Sequence, residues 1–252
     1  MIWLAPAFLI TALLYASVGF GGGSTYTALL ALAETDYRIL PAISLLCNII
    51  VVTGGVIRFG RAGLLDWKRA LPLAMIAAPF AWAGGLTPIK ETKFLLLLAS
   101  SLLIAGAHLL LANEAPSALS TAPPRKTDIR DVLVVTGLGY LSGLVGIGGG
   151  IFLAPYLHFT RWGKAQQIAA AASLFILINS VAGLIGQSIK LGAAGGFADL
   201  AGYWPLALAV LVGGQIGSHL GVRILPPLII KRMTGVLILY VAGNLFWKIL
   251  NT

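Results

Sequence analysis

Apolar runs of bilayer-crossing length alternate with short polar stretches along the whole chain. The candidate segments are 2–33, 39–57, 70–87, 94–112, 132–159, 168–186, 203–222 and 233–250. A helical crossing needs about 20 apolar residues, so the pattern predicts helices throughout. Two of the segments are interrupted. One carries "SVGFGGGSTY" (Ser17 to Tyr26) and the other "LVGIGGGIFL" (Leu144 to Leu153), both with Gly-x-Gly-Gly-Gly. The order of parts repeats as well: a broken segment, a short polar loop, then three further apolar segments. Residues 1–112 therefore read as a first repeat and 132–252 as a second. Between them lies "NEAPSALSTAPPRKTDIRD", 113–131, a Pro-, Ser- and charge-rich linker expected on the cytoplasmic side. Ser44 precedes Gly54 by ten residues, as Ser173 precedes Gly183, a smaller echo of the same duplication.

Composition fixes the solvent. The chain is 58% hydrophobic and 10% charged, whereas soluble domains carry about 25% charge. Strand-length polar/apolar alternation is absent, which excludes a barrel. The net charge of +9 is scattered among short loops, so nucleic acid is not an expected partner. Cys47 stands alone, and the start of the chain lacks the basic region of a cleaved signal peptide.

Charge then orients the segments. Between Asp131 and Arg161 lie 29 uncharged residues, too few for two crossings, which need roughly 40. If every segment crossed once, Lys and Arg would divide 9 against 8 between the two sides. If the broken segments dip in and return, the division is 12 against 5, which satisfies the positive-inside rule. The expected fold is an all-α polytopic membrane protein of two inverted repeats. Each repeat is a glycine-broken re-entrant hairpin plus three transmembrane helices. Residues 2–18, long enough to cross alone, are the point on which this topology turns.

Broken backbone at membrane depth is tolerated only inside protein or beside a watery cavity. Glycine permits the positive φ of such a turn and lets a ligand approach the backbone. A short helix is expected to restart after each break, at Ser24 and at Ile151, its first N–H groups unpaired and partly positive. Two such ends meeting near the midplane form an anion site without a charged side chain. The candidate binding residues are Gly21, Gly22, Gly23, Ser24 and Thr25 in the first copy, and Gly148, Gly149, Gly150 and Ile151 in the second. Asn48 and Asn179, polar residues within apolar segments, join them. The site should be asymmetric, hydroxyl-bearing on one side only. Close helix packing through small residues is the competing explanation for either motif taken singly.

"GFGGGST", "SGLVGIGGGIFLAPYL" and the duplicated four-segment plan resemble the TauE/SafE family of membrane transporters, also called the toluene sulfonate uptake permease family. The resemblance covers nearly the whole chain, although the first copy lacks the proline that follows the second motif as Pro155. It implies a secondary transporter moving a small sulfur-containing anion, such as sulfite, sulfoacetate or another organosulfonate, outward across the cell inner membrane. Alternating access between the halves is the expected mechanism.

All eight acidic residues fall in or beside loops, so carboxylate-based ion coupling is not expected. His219, Arg58 and Arg223 are weaker candidates for proton or anion handling. No catalytic motif, metal cluster or cofactor is expected, and an intramembrane enzyme is disfavoured. Expected partners are a small anionic substrate and the lipid bilayer, with a homodimer as an open assembly state. An anion channel and a non-transporting component of an envelope complex stay open as alternatives.

Overall fold

The computed structural model describes residues 3–18, 20–111, 128–193, 200–220 and 227–250. Most of the linker, together with Arg223 and the side chain of His219, lies outside the described residues. Everything regular among the described residues is helix. The first repeat supplies α1 (Leu4–Val18), α2 (Gly23–Leu32), α3 (Leu40–Arg61), α4 (Trp67–Leu86) and α5 (Glu91–Leu111). The second supplies α6 (Ile129–Val145), α7 (Gly150–Phe159), α8 (Ala165–Ala193), α9 (Trp204–Leu220) and α10 (Pro227–Leu250).

Local chemistry explains the ends. Proline sits in the first turn of α3, where it costs no hydrogen bond, and Arg58 and Arg61 occupy its last turn against the negative pole of the helix. The Asp66 side chain accepts from the Arg69 backbone N–H to start α4. At α6, Asp128 and Asp131 form a reciprocal capping box, so the last residues of the linker already belong to a helix start. Five helices are long and apolar enough to cross a bilayer: α3, α4, α5, α8 and α10, the last from Arg232. Helix α8, at 29 residues, exceeds its sequence-predicted length by about half.

The broken segments are hairpins. At 1.5 Å per residue, α1 (15 residues) and α6 (17 residues) reach about 22–26 Å, and the 10-residue α2 and α7 about 15 Å. None matches a hydrocarbon core of about 30 Å. Phe8 of α1 stacks on Tyr26 of α2 with ring centroids 4.8 Å apart. A continuous helix would separate those positions by about 27 Å, so the chain turns back at the glycines. In the second repeat the Tyr156 hydroxyl donates to Asp131 at 2.5 Å, which closes α7 on the start of α6.

The helix contacts are reciprocal between repeats. Helix α1 lies along α9 as α6 lies along α4, α3 crosses α8, and α5 crosses α10. Backbones approach closely at these pairings. Gly139 and Gly143 of α6 face the carbonyls of Ala77 and Ala81, while Gly213 and Gly217 of α9 face those of Leu9 and Leu13. Each hairpin has its own apolar core. Phe8, Tyr26, Leu40 and Phe94 centre one, and Leu73, Leu153, Ile168 and Phe175 the other. Outward faces carry Leu103, Ile104, Val236, Tyr240 and Trp247, large apolar groups well exposed on the protein surface. Lipid suits such a surface and water does not.

Candidate functional site at the crossing of the two hairpins

The two glycine turns meet. Gly22, at φ 85°, precedes α2, and Gly149, at φ 75°, precedes α7; both conformations exclude ordinary side chains. Helix therefore restarts one residue before Ser24 and one before Ile151. The N–H groups of each first turn have no carbonyl behind them within the helix. The Thr25 and Tyr26 N–H groups both return to the Gly22 carbonyl, and those of Phe152 and Leu153 return to the Gly149 carbonyl.

Helix α3 holds the turns together. Ser44 and Asn48, one helical turn apart on α3, are both fully buried. The Ser44 hydroxyl lies 2.8 Å from the Gly146 carbonyl oxygen and 3.2 Å from that of Gly23, touching both hairpins at once. Asn48 Nδ2 reaches the Ile147 carbonyl oxygen at 3.4 Å. A Cβ added to Gly21 or Gly148 would come within 2.7 Å of the Asn48 amide, and one added to Gly23 would strike both that amide and the Ile147 carbonyl. The second motif is thus brought against the first across about a hundred residues of sequence. Gly21 to Leu30 are buried without interruption, as are Leu144 to Gly150, so this crossing lies inside protein and away from lipid.

The first-repeat side of the crossing is rich in hydroxyls. Tyr15 and Thr25 share a 3.0 Å hydrogen bond, with Ser24 and Thr234 of α10 also within reach of the Tyr15 hydroxyl. Ser24 and Thr25 are each 3% exposed. On the second-repeat side, Ile176 packs on Gly148 and Gly150 and Phe175 on Gly149, while Ile151 and Phe152 occupy the first turn of α7. The structure therefore gathers Gly21–Thr25, Asn48 and Gly148–Ile151 in one place. Asn179 behaves differently: its Nδ2 donates to Phe175 of its own helix at 2.8 Å, and its Oδ1 is buried without a partner.

Tyr15, Thr234 and Ile176 are site neighbours that the sequence reading did not single out. A signal existed for the first of them. Thr11 and Tyr15, four residues apart on α1, present one helical face, and both lie against Gly22. For Thr234, more than 200 residues away, no local signal exists.

Comparison with known proteins agrees with this architecture. Residues 4–245 match the family described as Sulfite exporter TauE/SafE. A probable membrane transporter protein of Sinorhizobium fredii is 32% identical over 247 residues, covering 98% of each chain. One from Xylella fastidiosa is 27% identical over 90% of this chain and 88% of its own. One from Methanocaldococcus jannaschii is 25% identical over 67% and 63%. No solved structure matches the chain. Crossing-length apolar helices, buried paired glycine turns and a family match over nearly the entire length lead to one conclusion: the chain belongs to the TauE/SafE family and is a multi-pass membrane transporter.

Proposed function

We propose that the protein is a secondary carrier of a small sulfur oxyanion, sulfite or a short organosulfonate, held between the two hairpin turns. The convergence of both turns on Ser44 and Asn48 supports this reading above all. The starts of α2 and α7 each present partial positive charge and undirected N–H groups. Ser24 and Thr25 add hydroxyl donors, and one Asn48 N–H remains beyond that used by Ile147. An anion held this way needs no buried Lys or Arg and meets no fixed countercharge that would slow its release. Ile151, Phe152 and Ile176 form an apolar wall opposite, which suits the carbon side of a sulfonate.

In this reading the halves are oppositely oriented in the inner membrane. Hairpins return to the side they enter, and three crossings per half then invert the second copy. The reciprocal helix contacts supply two equivalent arrangements, and alternation between them moves the site from one side to the other. Export follows from the family description, Sulfite exporter. The test is flux in proteoliposomes of the purified chain. Sulfite or sulfoacetate release should saturate with concentration and accelerate when the same anion is present on the far side. Flux linear in concentration, without acceleration, points to a channel. Absence of flux for every sulfur oxyanion removes the proposal.

A further inference from the structure

The anion reading accounts for N–H and O–H donors at the crossing but leaves its oxygens unexplained. Ser44 has a single proton, directed to the Gly146 carbonyl at 2.8 Å, because the Gly23 carbonyl already accepts from Thr27 Oγ1 at 3.0 Å. The lone pairs of Ser44 Oγ stay unused. The Ile147 carbonyl receives only the long 3.4 Å contact from Asn48. Asn48 Oδ1 is buried in a fully buried residue and has no hydrogen-bond partner. Turning the amide over gives no relief, since it would set Oδ1 against the Ile147 carbonyl. Within one turn of α3, then, Ser44 Oγ, Asn48 Oδ1 and the carbonyls of Ile147, Gly146 and Gly23 gather with fewer protons than they accept. The two from Gly146 and Ile147 follow directly on the C-terminal end of α6, where the helix is partly negative.

We propose that this oxygen cluster is a binding site for a small monovalent metal cation, of the size of sodium, that travels with the anion. Five neutral oxygens suit a singly charged ion. Divalent cations draw on carboxylates, and none touches this group. Proton coupling through the cluster is excluded because hydroxyl, amide and carbonyl groups do not titrate near neutrality. Asn48 links the two solutes, its Nδ2 facing the Gly148 side and its Oδ1 facing Gly21. A bound cation fixes the amide orientation and adds positive charge beside the anion, so that each raises the affinity of the other. Coupling of this kind rests on the anion reading; binding of the cation does not.

The test is thermal unfolding of the full chain in detergent, in NaCl, LiCl, KCl and choline chloride at equal ionic strength, first without and then with sulfite. The midpoint is expected to rise and saturate with sodium or another alkali cation relative to choline, because a ligand of the folded state stabilises it. Ser44→Ala should raise the half-saturating cation concentration about tenfold. Asn48→Asp, which replaces a neutral ligand by a carboxylate, should lower it while weakening sulfite binding. If Ser44→Ala does not fold, Asn48→Asp alone decides. Equal midpoints in all four salts overturn the proposal, as does an Asn48→Asp protein with unchanged half-saturation. A cation shift without any sulfite shift sustains this site and defeats the anion reading instead.

Discussion

The two hairpins share one backbone and differ in nearly every side chain that lines it. Positions related by 127 residues coincide closely. Gly22 meets Thr11, Tyr15 and Tyr26, while Gly149 meets Leu138 and Ser142, the counterparts of the first two. The ends coincide as well: the Glu34 N–H returns to Ala31 and the Thr35 N–H to Leu30, as Arg161 returns to His158 and Trp162 to Leu157. Glu34 and Arg161 both hold positive φ, at 54° and 52°. Yet Thr25 faces Phe152, Glu34 faces Arg161, and Asn48 holds the place against Gly23 that Ile176 holds against Gly150. Every residue from Gly21 to Leu30 is buried, whereas α7 exposes His158 and Phe159. Duplication preserved the turn geometry, which glycine alone supplies cheaply, and released the side chains to specialise. One copy became polar and enclosed, the other apolar and more open.

Breaking the shared backbone should have the largest effect. Gly23→Val drives a branched side chain into Asn48 and the Ile147 carbonyl. Transport should be abolished, with folding weakened by about 1–3 kcal/mol. Gly54, which has open space around it, is the contrast; Gly54→Ala should stabilise α3 by roughly 0.5–1 kcal/mol. Denaturation midpoints and vesicle flux of the two variants separate the outcomes.

Exchanging side chains between copies tests the specialisation directly. Asn48→Ile should weaken sulfite binding about tenfold or more, the effect of one hydrogen bond to a charged group. Ile176→Asn should retain binding and shift selectivity toward anions lacking an apolar tail. Competition of sulfite with sulfonates of increasing chain length measures both. If the two changes weaken sulfite equally, the crossing is chemically symmetric and the comparison fails.

Thr25→Phe gives the first hairpin the residue of the second and removes the partner of Tyr15. A several-fold loss of anion affinity is expected, of the order of one neutral hydrogen bond. The reverse change, Phe152→Thr, should leave affinity for sulfite within about twofold. The smallest expected effect belongs to Tyr156→Phe. It removes the hydrogen bond to Asp131, which has no counterpart because the first repeat carries Leu29 and Leu4 at those positions. A stability loss of about 1–2 kcal/mol, with flux direction and selectivity unchanged, would show that this contact fastens α7 without shaping the site.

Much of this was legible before any coordinates. Segment length against bilayer thickness, the matched Gly-x-Gly-Gly-Gly motifs and the shortage of uncharged residues between Asp131 and Arg161 identified two broken hairpins and a membrane solvent. These are local properties: helix length, glycine conformation and the charge of adjacent loops depend on a few neighbouring residues. Register was not legible. The turns repeat at 127 residues, the serine and glycine echo at 129, yet the structure pairs Asn48 with Ile176, at 128. A helix turns about 100° per residue, so a slip of one position carries a side chain off the site. That is why Asn48 reaches both turns while Asn179 bonds back to its own helix.

The sequence by itself determined that the chain spans a bilayer as helices, that it is built twice, and where its two segments break. Only the tertiary structure decided that both breaks close on Ser44 and Asn48, that α1 and α10 bring Tyr15 and Thr234 to the same point, and that one side of the crossing is polar and the other apolar. The physical reason is distance along the chain. A turn is set by the torsions of its own residues, but the Ser44 and Gly146 partners are 102 positions apart, and nothing short of the packing of α3 between two hairpins brings them within a hydrogen bond.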